Sequence, residues 1–496
     1  MFTGLTSVRL FSELFNRKVT QVFREISNFA AMKSDTINLE DTICAISTPP
    51  GIGGIAVIRV SGPQAIAITD RIWQGKKLAD TPGHTARFGR IIDPMRGNEM
   101  LDEGVATVFR APSSFTGDDV VELSVHGSRY VQRRLLEILT ANGARLAEAG
   151  EFTRRSFANG KMDLAQAEAV ADVIASNSRA AHRLAASQMK GCFSRRLEEL
   201  RGKLLDLASL LELELDFSEE DVEFASRERL REIATEVHSE VSRLEKSFSE
   251  GSAIKDGIPV AIVGPTNAGK SSLLNLLLGE DRAIVSDIHG TTRDTIEDTL
   301  EIGDYLFRFI DTAGLRETTD PIEALGIERS RQALNRAAIV ISVVDSSQPH
   351  LSPIADIRTA TPDIPTILLL NKSDLTGEAS LSANAIVSDN VTVIPFSTKT
   401  GQGHQQLLST LTTIADRLRG TTDEDTILGT NLRHAQALRE AAASTAAILD
   451  GLRTNLPGDL IVQDLRATLH HLSSITGTLT TPDILASIFS RFCVGK

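Results

Sequence analysis

The sequence predicts a multidomain chain of α/β and α+β class. It reads as an N-terminal α+β domain, an all-α domain in two pieces, and a phosphate-loop α/β domain inserted between those pieces. Three observations predict this. From Ile258 to about Arg419, short apolar runs alternate with helical stretches, the pattern of a mostly parallel sheet covered on both faces. On either side, Leu164–Glu250 and Thr430–Lys496 read as helices, and neither has a plainly self-sufficient core. They are therefore expected to pack together, with the α/β unit inserted at a surface turn. From Asp41 to about Asn159, strand-like runs, turns and a helix mix. The expected boundaries are 36–155, 156–254, 255–420 and 421–496, with residues 1–35 as an extension.

The chain has 496 residues, enough for about three domains. No apolar run approaches the ~20 residues that span a bilayer, so no membrane association is expected. The net charge of −13 argues against broad nucleic-acid binding through basic patches; a nucleic-acid partner must be held locally or by a second protein. Cys44, Cys192 and Cys493 include no CxxC pair, which predicts a reducing compartment and neither a disulfide framework nor a zinc site. In residues 1–35, Arg9, Arg17, Lys18, Arg24 and Lys33 alternate with Phe, Leu and Ser. That suits an organelle-targeting peptide, but an over-long start with the true start at Met32 is preferred.

Taken in order, Thr42–Ile46 and Ile55–Val60 are strand-like. Gly51-Ile-Gly-Gly54 between them invites a nucleotide-loop reading, which is rejected because a β-branched run and no helix follows. Val105–Phe109 and Val120–Val125 are further strands, and Tyr130–Asn142 is a helix stopped by Gly143. Leu230, Ile233, Val237, Val241, Leu244 and Phe248 form one apolar stripe of a helix. Glu219–Glu223 is read as a solvated connection. Strands are expected at Ile258–Val263, Phe307–Ile310, Ala338–Val344, Ile367–Leu370 and Val391–Pro395. Thr481-Pro482 opens the last helix as cap and first residue.

Gly264-Pro-Thr-Asn-Ala-Gly-Lys-Ser271 follows a buried strand and precedes a helix that is expected to end at Gly279. Gly264 and Gly269 let the backbone turn and aim N–H groups at phosphate. Lys270 reaches the β/γ-phosphates, and the Ser271 hydroxyl can ligate Mg²⁺. Asn371-Lys-Ser-Asp374 also follows a buried strand. The Asp374 carboxylate accepts both guanine N1–H and N2–H₂, a donor pair that adenine lacks, with Asn371 and the Lys372 stem supporting the base. Asp311-Thr312-Ala313-Gly314 ends another strand, where Asp311 reaches Mg²⁺ through water and Gly314 N–H faces the γ-phosphate. Gly290-Thr291-Thr292 offers a hydroxyl to the Mg²⁺ shell, and Ser397-Thr398-Lys399 touches the base from the other side. Leu315 stands where Ras-type enzymes carry a water-orienting Gln. No arginine can be nominated as a finger supplied in cis, so another cation must offset developing charge.

With these residues in place, the chain resembles the tRNA modification GTPase family MnmE, also called TrmE. The resemblance covers nearly everything from Asp41 to Lys496. Its most specific pieces are Asp41-Thr-Ile with Thr48-Pro-Pro-Gly and Gly53-Gly, Ser114-Phe-Thr-Gly-Asp-Asp119 with His126-Gly127, Gly150-Glu-Phe-Thr153, Lys161-Met-Asp-Leu-Ala-Gln-Ala-Glu168, and Phe492-Cys-Val-Gly-Lys496. It implies a folate-binding N-terminal domain, a discontinuous helical domain and an inserted Ras-like G domain. It also implies a homodimer built through the N-terminal domains, an FAD-dependent MnmG partner, and tRNA whose wobble uridine is modified at C5. A bacterial cytoplasmic location follows, with the mitochondrial matrix as the alternative.

Site roles follow from the resemblance. Phosphate-loop contacts extend from Asn267 and Ala268 through Gly269, Lys270 and Ser271 to Ser272. Potassium replaces an arginine finger, held by Asn267 with Ser286, Ile288 and Thr291, and Asp287 and His289 complete that loop. Mg²⁺ is held by Ser271 and Thr292. Glu323 is the catalytic glutamate that orients water. Arg59, Glu122, Lys161 and Lys496 hold a tetrahydrofolate of 5,10-methylene or 5-formyl type. Cys493 lies where the family places a cysteine implicated in the modification; a thiolate there could add to uracil C6, although a merely apolar role is equally open. The chain departs from the usual pattern at Gly264-Pro-Thr-Asn, at His289 and at Ser397-Thr-Lys399. The runner-up reading is a regulatory or ribosome-assembly GTPase whose outer domains only bind. Residues 41–160 lack the basic, aromatic-bearing run which that reading needs.

Overall fold

The computed structural model describes residues 40–216, 227–280, 298–310, 334, 336–347, 364–376, 390–418, 428–490 and 492–495. The chain forms two compact units. One takes the chain up to Ala171, Ser187–Arg243 and the chain from Gln436 on; the other takes Asp172–Ala186 and Leu244–Ala435.

The first unit holds a seven-stranded sheet. Its strands are β1 Ile43–Ile46, β2 Gly53–Ser61, β3 Trp73–Gln74, β4 Thr85–Asp93, β5 Glu99–Phe109, β6 Val120–Gly127 and β7 Arg145–Leu146, in the order β3-β4-β5-β6-β2-β1-β7. Every pair is antiparallel except β1 with β7. Side chains alternate between the faces. Ala56, Ile58 and Val60 enter a core closed by the helices Ala65–Ile72 and Arg129–Ala141. Ile43 and Ala45 face the other way, against Ala147 and Phe152. Ala45 stands opposite Arg59, so Arg59 belongs to this second face. The Arg129–Ala141 helix ends at an Asn142 cap, with Gly143 in the left-handed region at φ +106°, the stop expected of it. Gly53 and Gly54 run straight into β2, as the rejection of a nucleotide loop requires. β4 and the helices Ala65–Ile72 and Glu151–Ala158 gave no clear sequence signal. β4 puts arginines and a glycine among its apolar residues, and each of the two helices is only 8 residues long.

Helix Glu151–Ala158 is tied down by charge. Arg155 is fully buried and pairs with Asp41 and, at 3.2 Å, with Glu151. Arg145 bridges the same two carboxylates at 2.7 and 2.6 Å. Burial raises the pKa of Glu151 and of Asp41, but the arginine hydrogen bonds outweigh it and hold both below their ordinary values.

Helices from before and after the α/β segment pack in this unit. Cys192–Asp216 lies along Gly458–Thr476, and His238 Nδ1 meets Thr445 Oγ1 at 2.9 Å. In Arg227–Asp256 the buried stripe is Leu230, Ala234, Val237, Val241 and Leu244, with Ile233 and Phe248 at its margin. Ala234, rather than Ile233, takes the buried place at that turn. Thr481 caps the helix Pro482–Phe489, its hydroxyl accepting from Ile484 N.

The second unit is built on a six-stranded sheet: β8 Ile258–Val263, β9 Asp298–Ile302, β10 Tyr305–Ile310, β11 Ile339–Asp345, β12 Thr366–Asn371 and β13 Val391–Pro395. The order is β13-β12-β11-β8-β10-β9, parallel except for edge strand β9. Every residue of β12 is buried. Leu369 and Ile341 enter the cluster shared with the helices Lys270–Glu280 and His404–Leu418, while Leu368 and Leu370 join Val344 in a separate cluster. The helix after the phosphate loop runs through Gly279 to Glu280, correcting the expected stop. A helical glycine costs only about 0.5–1 kcal/mol, and buried Leu273, Leu274 and Leu277 offset that.

Candidate functional site

The converging polar residues lie at the carboxyl ends of β8, β12 and β13, where a parallel sheet opens a crevice. Gly264 leaves β8 at φ +147°, and a Cβ there would stand 2.2 Å from Val343 O. Gly269 has φ +101°, and its Cβ would stand 2.1 Å from Asn371 Nδ2. Only glycine allows these approaches. Asn267 between them takes φ +62°. Lys270 Nζ donates to Gly264 O and Pro265 O, both at 2.8 Å, which places its ammonium inside the loop. Burial pushes its pKa down. Ser271 and Ser272 follow in the first turn of the helix, whose N-terminus carries partial positive charge.

The segments at Asn371–Asp374 and Ser397–Lys399 are tied to that loop. Asn371 Nδ2 donates to Ala268 O at 2.7 Å, and Asn371 Oδ1 accepts from Thr398 N at 3.1 Å. Ser397 Oγ donates to Asp374 Oδ1 at 2.7 Å, leaving Asp374 Oδ2 for a ligand's donors. Lys399 is exposed beside them. Thus the structure brings Ala268, Gly269, Asn371, Asp374, Ser397 and Thr398 together. It also adds Asp345, which sequence reasoning missed: Lys372 Nζ lies 2.6 Å from Asp345 Oδ2. The available signal was its place at the end of the strand beside β12.

In the first unit, Arg59 and Glu122 stand opposite each other on β2 and β6, with Arg59 Nη2 2.8 Å from Glu122 Oε1. The guanidinium also lies over Phe115 and Phe152, 5.4 and 5.5 Å from their ring centroids. Strand alternation by itself would leave Arg59 facing solvent, but its side chain is only 17% exposed. Lys161 Nζ donates to Pro112 O at 2.9 Å. The chain terminus docks against this domain. Val494 bridges Ala149, Gly150 N donates to Cys493 O at 3.4 Å, and Ser47 Oγ donates to Gly495 O at 3.1 Å. Cys493 is exposed. Ser286, Asp287, Ile288, His289, Gly290, Thr291, Thr292, Asp311, Thr312, Ala313, Gly314, Glu323 and Lys496 lie outside the described residues, as do 1–35 and Glu219–Glu223.

A family described as GTP-binding protein TrmE N-terminus matches residues 42–161, and one described as MnmE helical domain matches 164–493. The curated tRNA modification GTPase MnmE of Parabacteroides distasonis is 51% identical over 463 residues, covering 92% of this chain and all of its own. The chain belongs to the MnmE family of tRNA modification GTPases. MnmE of Bacteroides fragilis is 49% identical over 469 residues, and that of Cytophaga hutchinsonii 47% over 470, covering 92% and 94% of this chain. The Arg59–Glu122 pair lies within the segment matched by the TrmE N-terminus model. Among the described residues, no helix is long and apolar enough to cross a membrane.

Proposed function

We propose that this chain hydrolyses GTP and, with an FAD-dependent MnmG partner, modifies C5 of the wobble uridine of certain tRNAs, giving an aminomethyl or carboxymethylaminomethyl group. The observation that carries the reading is the bond from Asn371 to Ala268, because it makes the phosphate cradle and the guanine edge one rigid unit. The Asp374 carboxylate, held by Ser397, accepts from guanine N1–H and N2–H₂, while Lys270 and the loop N–H groups take the phosphates.

Mg²⁺ fits a cradle that glycines keep open; Ser271 and Thr292 would hold it, and its charge offsets that of the β- and γ-phosphates. Potassium would sit by Asn267, with Ser286, Ile288 and Thr291 completing its shell, and supply the cationic charge of an arginine finger. Glu323 would orient the attacking water. The Arg59–Glu122 pair, with the guanidinium packed on buried Phe152 and on partly exposed Phe115, suits a tetrahydrofolate: the carboxylate for the pterin donors and the cation for the tail. Lys161 and Lys496 would add cations there, and Cys493 would serve the carbon chemistry. A homodimer through the TrmE-type domains, in a bacterial cytoplasm, completes the reading.

The test is nucleoside mass spectrometry of tRNA from cells lacking the protein. The C5-substituted wobble uridines should vanish and return with the intact gene. Their persistence, with no second copy of the activity present, would remove the assignment and leave a GTPase of the assembly type.

A further inference from the structure

Lys372 has a geometry that guanine reading by itself does not require. Its backbone lies in the left-handed region at φ +62°, where a side-chain-bearing residue stays only when its surroundings hold it. Its ammonium is fixed 2.6 Å from Asp345 Oδ2. Asp345 ends β11 and stands directly opposite Asn371 in the strand register. The carboxylate is itself anchored, since Oδ1 accepts from Ser347 N at 2.9 Å and from Ser347 Oγ at 2.6 Å. Ser346 N also donates to Asn371 O at 2.8 Å, so the two strand ends move as one. Burial raises the Asp345 pKa, yet the bonds from Lys372 and Ser347 prevail and hold it below its ordinary value. A free lysine stem samples many rotamers, and a ligand that packs on it must freeze them. A stem held at its ammonium by Asp345 has less such freedom left to lose.

We propose that Asp345 is a positioning residue of the base pocket: by holding the Lys372 ammonium at the end of β11, it fixes the lysine stem as a preformed apolar ledge for a purine ring beside Asn371 and Asp374. The proposal rests on the guanine-nucleotide reading of this site. It separates two tasks. Asp374 distinguishes guanine from other purines by hydrogen bonds; Asp345, through Lys372, sets how tightly any purine ring is held.

The experiment uses the full chain and fluorescent GDP, with unlabelled GDP and IDP as competitors. Asp345→Asn should weaken GDP and IDP alike, by about 10-fold, through faster dissociation, and leave the GDP:IDP ratio unchanged. Lys372→Met keeps an apolar stem but loses the anchor, and should do the same. The double variant should bind no more weakly than Lys372→Met alone, because both changes remove one interaction. Unaltered affinity in Asp345→Asn, additive losses in the double variant, or a changed GDP:IDP ratio would each overturn the proposal. If Asp345→Asn does not fold, Lys372→Met carries the test: equal loss for GDP and IDP supports the ledge, and unequal or absent loss removes it. Failure of the wild-type chain to bind GDP would instead remove the nucleotide reading itself.

Discussion

In the parallel sheet of the second unit, the converging polar groups stand just beyond the carboxyl ends of β8, β12 and β13. In the antiparallel sheet of the first unit, Arg59 and Glu122 stand within β2 and β6, paired across the strands. In the parallel sheet the strands beside the site, β8 and β12, are uncharged along their length and β12 is buried throughout, so the polar groups gather in the loops at one end. The antiparallel sheet buries one face under two helices and leaves the other less committed. There a charged pair persists, its guanidinium packed on two aromatic rings. The difference teaches where each kind of site is fragile. The loop site depends on backbone geometry at glycines, and the mid-strand site on individual side chains.

The largest expected effect tests the backbone side of this contrast. Gly269→Ala drives a Cβ into Asn371 and strains a left-handed residue, so GDP affinity should fall by more than about 100-fold, roughly 3 kcal/mol. Isothermal titration measures it, and unchanged affinity would break the claim that loop and base edge form one unit. Next, Asp374→Asn should cost about 100-fold in preference for GTP over ATP, read by competition, because the guanine donors lose their carboxylate. Third, Arg59→Ala should weaken tetrahydrofolate binding by about 10-fold, since a hydrogen bond to a charged group is worth ~1.5–3 kcal/mol. GTP turnover should stay as it was; a parallel loss of turnover would blur the separation between the sites.

The smallest effect concerns acid. Asp41 and Glu151 titrate lower in the fold than in the unfolded chain, where they stand near 3.8 and 4.5. The folded state therefore binds fewer protons. Its stability from these groups is complete above those values and is lost as pH falls through the lower folded ones. As pH falls below about 4.5 and through the lower folded values, the wild type should lose stability that Glu151→Gln does not, read as a steeper pH slope in denaturant melts. Equal pH slopes would show that the Arg145–Glu151–Arg155 cluster does not stabilise the first unit.

Two motifs expected at the nucleotide site were legible because their residues are contiguous in short stretches. Gly264–Ser271 and Asn371–Asp374 each follow an apolar run, and local geometry at a strand end fixes what such motifs do. The bond from Asn371 to Ala268 joins residues 103 apart in the chain and had no local signal. Asp345 was missed for the same reason: its task appears only when β11 lies beside β12. Arg59 looked like solvent-facing polarity on a strand, because alternation tells which face a residue takes but not what covers that face. The Arg155 burial was equally hidden, since its acid partners come from the chain near β1 as well as from its own helix.

By itself the sequence determined most of the periodicities, hence most strands and helices, and the place of the glycine-rich loop and of Asn371–Asp374 at strand ends of one sheet. Those follow from interactions within a few residues, which any conformation of the segment must obey. Tertiary structure alone decided which charges meet. Arg59 finds Glu122 and Lys372 finds Asp345, because strand pairing brings distant parts of the chain within hydrogen-bond range. A charge acts only over a few ångströms once buried or paired, so its role belongs to its neighbours in space, and no local pattern records them.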